Sequence, residues 1–256
     1  MSRGQGKGQH RREQRQNRRN ANRHPDQVAV SNDFEAAIEH QMSRIIFGPL
    51  EARNEAQGQM IATIKSKRVT FVTGPAGTGK TFVATSLACE LLESGEIERL
   101  VITRPMVGCD EEMGFLPGTE AEKYAPWLGP FFDVLEGKLG KKKVETYLKY
   151  GKIVAAPLMM MRGSTFRNAF VILDEAQNTT EGQMKMFLTR LGAGSKVVID
   201  GDLEQNDLPG HKPSGLADAV RRMKGSSQFG MVEFDVEDIE RDPLVRDIVL
   251  AYRKAA

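Results

Sequence analysis

Short, unbroken apolar runs alternate with helix-like patterns along the chain from residue 68 onward. A short apolar run bounded by turn residues is typical of a strand buried on both faces, whereas apolar residues at three- and four-residue intervals indicate a helix. The pattern predicts strands at 69–73, 100–103, 153–155, 170–173, 197–199 and near 231–234. It predicts helices at 51–65, 81–93, 181–191, 214–223 and 243–252, with one or two more between residues 120 and 150.

Helices that alternate with buried strands predict an α/β fold, in which a parallel sheet is covered by helices on both faces. We assign residues 51–256 to this single domain and residues 28–50 to a lead-in, where the apolar spacing over 34–46 fits a short amphipathic helix or a docked segment. Residues 1–27 hold only two apolar residues, Met1 and Ala21. They bury too little surface to offset the entropy of ordering, so we predict a disordered arm.

The formal net charge of +2 averages two unlike parts of the chain. Residues 1–25 contain eight arginine and lysine residues against one acid, Glu13, which gives a net charge of +7 and leaves −5 for the rest. A basic, disordered arm suits binding to nucleic-acid phosphates without sequence preference. A solubilising tail is the alternative interpretation of the same charges.

Composition excludes several classes of protein. The chain has 40% hydrophobic and 27% charged residues, which is ordinary for a folded domain, and no uninterrupted apolar stretch of about 18 residues that would span a membrane. Its first residues lack the apolar segment of a secretory signal. The two cysteines, Cys89 and Cys109, are too few for a disulfide framework or a zinc site, so a reducing cytoplasm is the expected location.

One motif matches a known phosphate-binding pattern at every position. Residues 74–81 fit G-x-x-x-x-G-K-[ST] between a predicted strand and a predicted helix, where such a loop points its backbone N–H groups at phosphates. The lysine of this motif reaches the β- and γ-phosphates, and its threonine hydroxyl ligates Mg²⁺. The predicted binding residues are Gly74, Pro75, Ala76, Gly77, Thr78, Gly79, Lys80 and Thr81. Lys80 is also assigned to catalysis and Thr81 to the metal.

A pair of acids follows the apolar run at 171–173. In P-loop proteins an aspartate at this kind of strand end holds Mg²⁺, and an adjacent glutamate can polarise the attacking water. We therefore assign Asp174 to the metal and Glu175 to catalysis. A solvated pair of acids at a strand end is the alternative, and the P-loop upstream favours the catalytic interpretation.

A polar segment follows the strand predicted at 197–199. It places Gln205 just beyond a strand end, where the carboxyl ends of a parallel sheet meet the ligand crevice, and there its amide can sense the γ-phosphate or orient water. An ordinary loop residue is the alternative. Asp202 can instead cap a turn, while Asp200 and Glu204 bring extra acids to the predicted phosphate site.

Taken together, these residues resemble the PhoH family of single-domain P-loop ATPases, which is related to the first motor domain of superfamily 1 helicases. Beside the P-loop, Asp-Glu-Ala-Gln-Asn at 174–178 and Arg-Gly at 162–163 are in combination specific to this family, whereas the P-loop alone is not. Other matching stretches are 54–57, 103–105, 113–118, 156–163, 188–192, 201–202, 207–209 and 214–216. The resemblance runs from about residue 48 to the C-terminus, and it implies a single RecA-like domain that hydrolyses ATP with Mg²⁺.

The resemblance implies roles for two further residues. Gln57 is similar to the helicase glutamine that reads the adenine edge, a task that suits an amide because it donates and accepts hydrogen bonds at once. Arg104 is similar to a helicase residue, after the second strand, that touches the nucleic-acid backbone. A solvated helix residue and a surface ion pair are the respective alternatives.

The resemblance also implies that an arginine completes the ATP site. Superfamily 1 helicases close two motor domains around one ATP, and we expect no residues to remain here for a second. A neighbouring subunit is then expected to supply the arginine in a homo-oligomer, as a ring or another head-to-tail assembly. Arg241 matches a family position and is assigned to catalysis; Arg162 and Arg190 are other candidates. Intramolecular ion pairs are the alternative for each.

The first functional hypothesis is an Mg²⁺-dependent ATPase coupled to binding or remodelling of RNA or single-stranded nucleic acid. The second is a nucleotide-gated regulatory protein that acts on a protein partner without nucleic acid. A phosphotransferase is disfavoured because Glu175 suits hydrolysis. The methionines at 159–161 and the aromatic residues Trp127, Phe131 and Phe132 are expected in the core.

Overall fold

The computed structural model describes residues 47–106 and 128–253. The predicted arm at 1–27, the lead-in up to residue 46, Cys109 and Trp127 lie outside the described residues. The strands are β1 (Val69–Thr73), β2 (Arg99–Thr103), β3 (Ile153–Ala155), β4 (Ala169–Leu173), β5 (Lys196–Gly201) and β6 (Phe229–Glu233). The helices are α1 (Glu55–Ser66), α2 (Lys80–Glu93), α3 (Gly129–Leu139), α4 (Lys141–Lys149), α5 (Glu181–Leu188), α6 (Gly215–Met223) and α7 (Pro243–Arg253).

The six strands form one sheet in the order β3-β2-β4-β5-β1-β6, and every neighbouring pair is parallel. Strand β5 therefore lies between β1, which precedes the P-loop, and β4, which precedes Asp174. Because all strands run the same way, their carboxyl ends meet along one edge of the sheet. This is the parallel sheet of the α/β fold that the sequence predicted.

Alternate residues along each strand enter two separate cores. On one face Val72, Ile102 and Ile172 pack with side chains from α1, α2, α3 and α4. On the other face Phe71 and Val171 pack with α5 and α6. Helices therefore cover both faces of the sheet, which explains why the strands are continuously apolar in sequence.

Two predicted helix ends differ from the structure by more than one residue, each for a local reason. Helix α1 begins at Glu55 rather than at residue 51, because the Asn54 side chain accepts a hydrogen bond from the Gln57 backbone N–H and caps the first turn. Helix α5 ends at Leu188 rather than at 191. The next residues turn to pair with Phe166, whose backbone N–H donates to the Arg190 carbonyl at 2.8 Å.

The core predictions are confirmed for Phe131 and Met161 and wrong for Met159 and Met160. Phe131 is fully buried, and Cys89 is buried in α2, where desolvation raises the pKa of its thiol to about 12. In the methionine run only Met161 is buried; Met159 and Met160 are 61% and 44% exposed, because a 3-10 turn at Leu158–Met161 carries them away from the sheet. Among the described helices, none has the length and apolar character needed to cross a membrane.

Candidate functional site

A cavity of about 460 Å³ lies at the carboxyl edge of the sheet, where the loops after β1, β2, β4 and β5 converge. This volume is within the usual range for a small-molecule site. Its lining includes ten of the thirteen residues that the sequence assigned to nucleotide binding, the metal or catalysis: Gln57, Ala76, Gly77, Gly79, Lys80, Thr81, Asp174, Glu175, Gln205 and Arg241. Residues separated by more than 180 positions in the chain are therefore brought into one site.

The P-loop adopts a backbone that requires glycine. Gly74, Gly77 and Gly79 have φ angles of 137°, 88° and 88°, in the region that disfavours residues with a Cβ. A Cβ on Gly74 would also collide with the Phe234 backbone, whose carbonyl lies directly against it. The loop is anchored to the sheet because the Gly74 N–H donates to the Gly201 carbonyl at 3.2 Å.

The first turn of α2 opens directly onto this loop. Gly79 is the N-cap residue, and no side chain caps the helix there, so its leading N–H groups can serve an anion. Lys80 Nζ donates to the carbonyls of Gly74 and Pro75, each at 2.8 Å, and so lies across the loop. Thr78 is fully buried, and its hydroxyl donates to the Pro75 carbonyl.

Gln57, a residue of α1, is hydrogen-bonded to the P-loop. Its side chain is 3% exposed, its Nε2 donates to the Thr78 carbonyl at 3.1 Å, and its Oε1 accepts from the Arg53 N–H at 3.0 Å. The alternative of a solvated helix residue is therefore wrong. The amide still has one N–H and one lone pair for a ligand, since a primary amide can make about four hydrogen bonds.

Asp174 and Glu175 share one cation, Arg104. The guanidinium Nε lies 3.1 Å from Asp174 Oδ2, and Nη2 lies 3.1 Å from Glu175 Oε1. Arg104 follows β2 and Asp174 follows β4; these strands are neighbours, and the Asp174 N–H donates to the Thr103 carbonyl. Arg104 thus forms an ion pair, but with the predicted catalytic acids rather than with an unrelated surface residue.

Glu175 is held on its other side by Gln177, a residue to which the sequence assigned no role. Gln177 is fully buried; its Nε2 donates to Glu175 Oε2 at 2.5 Å, and its Oε1 accepts from the Asp202 N–H at 3.1 Å. Glu175 itself has a φ of 53°, which is unusual for a residue with a side chain. The amide of Gln177 therefore links the predicted base to the loop after β5.

That loop is ordered by Asp202, which caps a turn. Its Oδ1 accepts from the Glu204 N–H at 2.9 Å, and its Oδ2 accepts from Gln205 Nε2 at 3.0 Å. Gln205 is exposed at the rim of the cavity and is held by this contact. The capping expectation for Asp202 is confirmed.

Asp200 lies deeper, at the end of β5. It is 1% exposed and lines the cavity beside Asp174. Burial, followed by the negative charge of Asp174, raises the pKa of the Asp200 carboxyl well above its ordinary value. The extra acid that the sequence placed near the phosphate site therefore lies within it.

Arg241 lies over the P-loop of its own chain. Its side-chain carbons and Nε come within 3.0–3.3 Å of the position that a Cβ on Gly77 would occupy, and the Glu240 N–H donates to the Gly77 carbonyl at 3.0 Å. Arg162 is exposed, and neither it nor Arg190 lines the cavity. A neighbouring subunit is therefore not needed to bring Arg241 to this site.

The side chains present fit a nucleotide with Mg²⁺. Mg²⁺ is usually held by one or two carboxylates together with phosphate oxygens and water, and Asp174 with the Thr81 hydroxyl offers such a partial set. Within 47–106 and 128–253 no group of three or more carboxylate, imidazole or thiol side chains is placed to hold an ion on its own. The phosphates of a nucleotide would complete the coordination.

Removing the Arg104 charge should destabilise the protein in a way that Mg²⁺ partly reverses. In Arg104→Ala, Asp174 and Glu175 lose their shared cation, and we expect the free energy of unfolding to fall by about 1–3 kcal/mol. Chemical denaturation with and without Mg²⁺ measures this effect. Arg222→Ala, which breaks the exposed pair with Asp218, is the control and should cause a much smaller loss that Mg²⁺ does not restore. Equal losses in the two variants would contradict the account.

Sequence comparison identifies close relatives of the chain. A family profile described as PhoH-like protein matches residues 49–253. A PhoH-like protein from Bacillus subtilis (strain 168) is 45% identical over 222 residues, which cover 86% of this chain and 70% of that protein. Protein PhoH from Escherichia coli (strain K12) is 47% identical over 206 residues, which cover 80% of this chain and 58% of that protein. The chain thus spans little more than half the length of the Escherichia coli relative.

Similarity to solved structures is more distant. The Pif1 helicase from Candida albicans aligns with a TM-score of 0.36 at 16% identity, over 73% of this chain and 41% of that chain. The large terminase from a thermophilic bacteriophage aligns with a TM-score of 0.49 at 12% identity, over 78% of this chain and 50% of that chain. At these scores the similarity supports no functional argument.

The family profile, in contrast, covers the whole described sheet, the P-loop and the acids at the ends of β4 and β5. Two relatives with more than 40% identity cover at least four-fifths of the chain. The chain belongs to the PhoH-like protein family.

Proposed function

We propose that this protein is an Mg²⁺-dependent ATPase. The observation that carries the proposal is the meeting of a complete P-loop with Asp174 and Glu175 across one cavity. The backbone N–H groups of the loop and of the first turn of α2 bind the phosphate chain, and Lys80 turns its ammonium from the loop carbonyls to the phosphate oxygens. Gln57, anchored beneath the loop, uses its remaining hydrogen-bonding capacity for the adenine edge.

Thr81 and Asp174 would hold Mg²⁺, which neutralises charge on the phosphates when it is bound. Glu175 accepts the proton of the attacking water. Two contacts fix its carboxylate, one from Arg104 and one from Gln177, so the base is already oriented before substrate enters. Gln205 approaches the γ-phosphate from the rim, and Arg241 supplies positive charge above Gly77.

A cation held by Asp174 would compete with Arg104 for the charge of that carboxylate, whose Oδ2 lies 3.1 Å from the Arg104 guanidinium. Displacement of the guanidinium from Asp174 is therefore part of the proposed binding step. Freed from Asp174, Arg104 can keep its contact with Glu175 or turn toward an anionic ligand, which is the role in nucleic-acid binding that its position predicts.

Coupling of hydrolysis to RNA or single-stranded nucleic acid is the second part of the proposal. It is supported by the charge of the arm, with its net +7 over residues 1–25, and by the position of Arg104 at the catalytic acids. Homo-oligomerisation stays a prediction. Exposed Leu244 and Ile248, one turn apart on α7, give that helix an apolar surface suited to self-association.

Two substitutions separate nucleotide binding from hydrolysis. Lys80→Ala should weaken ATP binding by at least about tenfold, because it removes the phosphate-binding ammonium. Glu175→Gln should keep ATP affinity and lower kcat by about 10²–10⁴-fold, because it removes the proton acceptor. Calorimetry and phosphate release measure the two effects. Glu237→Gln, at an exposed carboxylate with only a 3.8 Å ion pair, is the matched control and should behave like wild type.

ATP hydrolysis by Glu175→Gln at the wild-type rate would show that Glu175 is not the base. Absence of Mg²⁺-dependent ATP binding by the wild-type protein would overturn the proposed ATPase function as a whole.

The role of the arm can be tested by removing its positive charge without changing its length. Replacing the eight arginine and lysine residues of 1–25 with glutamine should weaken binding to a single-stranded RNA oligonucleotide and flatten the dependence of affinity on salt, because fewer counterions are released. Filter binding at two salt concentrations measures both effects. ATP hydrolysis by the wild-type protein should rise when RNA is added. Unchanged binding would show that the arm is a solubilising tail, and hydrolysis indifferent to RNA would favour the nucleotide-gated regulatory protein.

A further inference from the structure

Asp200 occupies the position in the sheet that is level with Asp174. In the pairing of β4 with β5, Leu173 lies opposite Ile199, so Asp174 and Asp200 are the next residues on two adjacent strands. In the pairing of β5 with β1, Asp200 lies opposite Val72, two residues before the P-loop begins. The carboxyl group is therefore placed between the phosphate-binding loop and the predicted metal ligand.

One oxygen of Asp200 has no partner within the described protein. Oδ2 is buried and makes no hydrogen bond, while the carboxyl group contacts Asp174. Buried polar atoms in native proteins are nearly always satisfied, and a buried carboxylate without a cation is costly. Asparagine, serine or threonine at this position would place less negative charge in the interior. The fold alone therefore does not account for an aspartate here.

The charged groups that face Asp200 indicate what would satisfy it. Asp174 and Glu175 are negative, and Lys80 is the positive group near it; the Lys80 ammonium already donates to two loop carbonyls. Arg104 binds Asp174 and Glu175. A small divalent cation is the ligand that compensates two adjacent carboxylates at once, and Mg²⁺ bound with phosphates takes one or two of them.

We propose that Asp200 is a second carboxylate of the divalent-cation site, acting together with Asp174 and Thr81. This inference rests on the proposed ATPase function and adds a residue to it. The third acid of the cluster, Glu175, is left for water activation, because its two oxygens are already held by Arg104 and Gln177. The site thus divides its acids between cation binding and proton transfer.

The test is the affinity of Mn²⁺, a spectroscopic substitute for Mg²⁺, for the full chain saturated with ADP. Electron paramagnetic resonance measures free Mn²⁺ during the titration. Asp200→Asn keeps the size of the side chain and its ability to hydrogen-bond to Asp174, and it should raise the Kd for Mn²⁺ by about 10–100-fold. Asp174→Asn is the positive control. Asp247→Asn, an exposed carboxylate on α7, is the matched negative control and should leave the Kd unchanged.

Stability in the absence of metal separates a cation ligand from a structural residue. Asp200→Asn in EDTA should unfold at the same denaturant concentration as wild type or at a higher one, because the substitution replaces a buried acid beside Asp174 with a neutral amide. If Asp200 served only to stabilise the fold, Asp200→Asn would unfold at a lower denaturant concentration than wild type. If Asp200→Asn cannot be produced as folded protein, Asp200→Ser can be used in its place. Asp200→Ser should weaken Mn²⁺ binding to the same extent.

The outcomes distinguish the two proposals. Weak Mn²⁺ binding by both Asp174→Asn and Asp200→Asn supports the inference. Weak binding by Asp174→Asn alone overturns the role of Asp200 and leaves the ATPase function standing. Absence of ADP-dependent Mn²⁺ binding by the wild-type protein overturns the proposed function itself.

Discussion

Three carboxyl groups converge at the carboxyl edge of the sheet, and their mutual repulsion is the constraint on which the rest of the site depends. Parallel pairing of β4 with β5 places Asp174 beside Asp200, and Glu175 follows directly. A shift of either strand by one residue would move each side chain from its own core into the core on the opposite face, where the packing partners differ. The acids are therefore held together by the cores on both faces, and their charge has to be compensated locally.

Compensation comes from a small set of polar contacts around the cavity. Arg104 forms an ion pair with both Asp174 and Glu175, and Gln177 fixes the second oxygen of Glu175 while holding the backbone of Asp202. A Cβ on Gly201 would collide with the Gln177 amide, so the loop after β5 packs directly on it. These contacts connect β2, β4 and β5. A ligand that changes the charge at Asp174 therefore acts on the base and on the loop that carries Gln205.

The fold and the catalytic motifs could be predicted from the sequence because their signals are local. Short apolar runs identified the six strands of the described residues, and the P-loop needs only the order of eight residues. The contacts of Arg104, Gln177 and Asp200 could not be predicted, because they depend on strand order and register. Met159 and Met160 show a related limit, since an apolar run does not reveal that a 3-10 turn exposes two of its three side chains. The end of α5 was set by Phe166, a residue more than twenty positions away.

In the proposed ATPase, the acids at the ends of β4 and β5 form, with the P-loop, a site for a nucleotide and a divalent cation. A crystal structure of the full chain with Mg²⁺ and a non-hydrolysable ATP analogue would show this site. We expect phosphates along the backbone of 74–81, the cation at Thr81 and Asp174, and Arg104 displaced from Asp174 Oδ2. A nucleotide bound outside this cavity, or phosphates in the loop with Arg104 still paired to Asp174 and no cation beside it, would rule this site out.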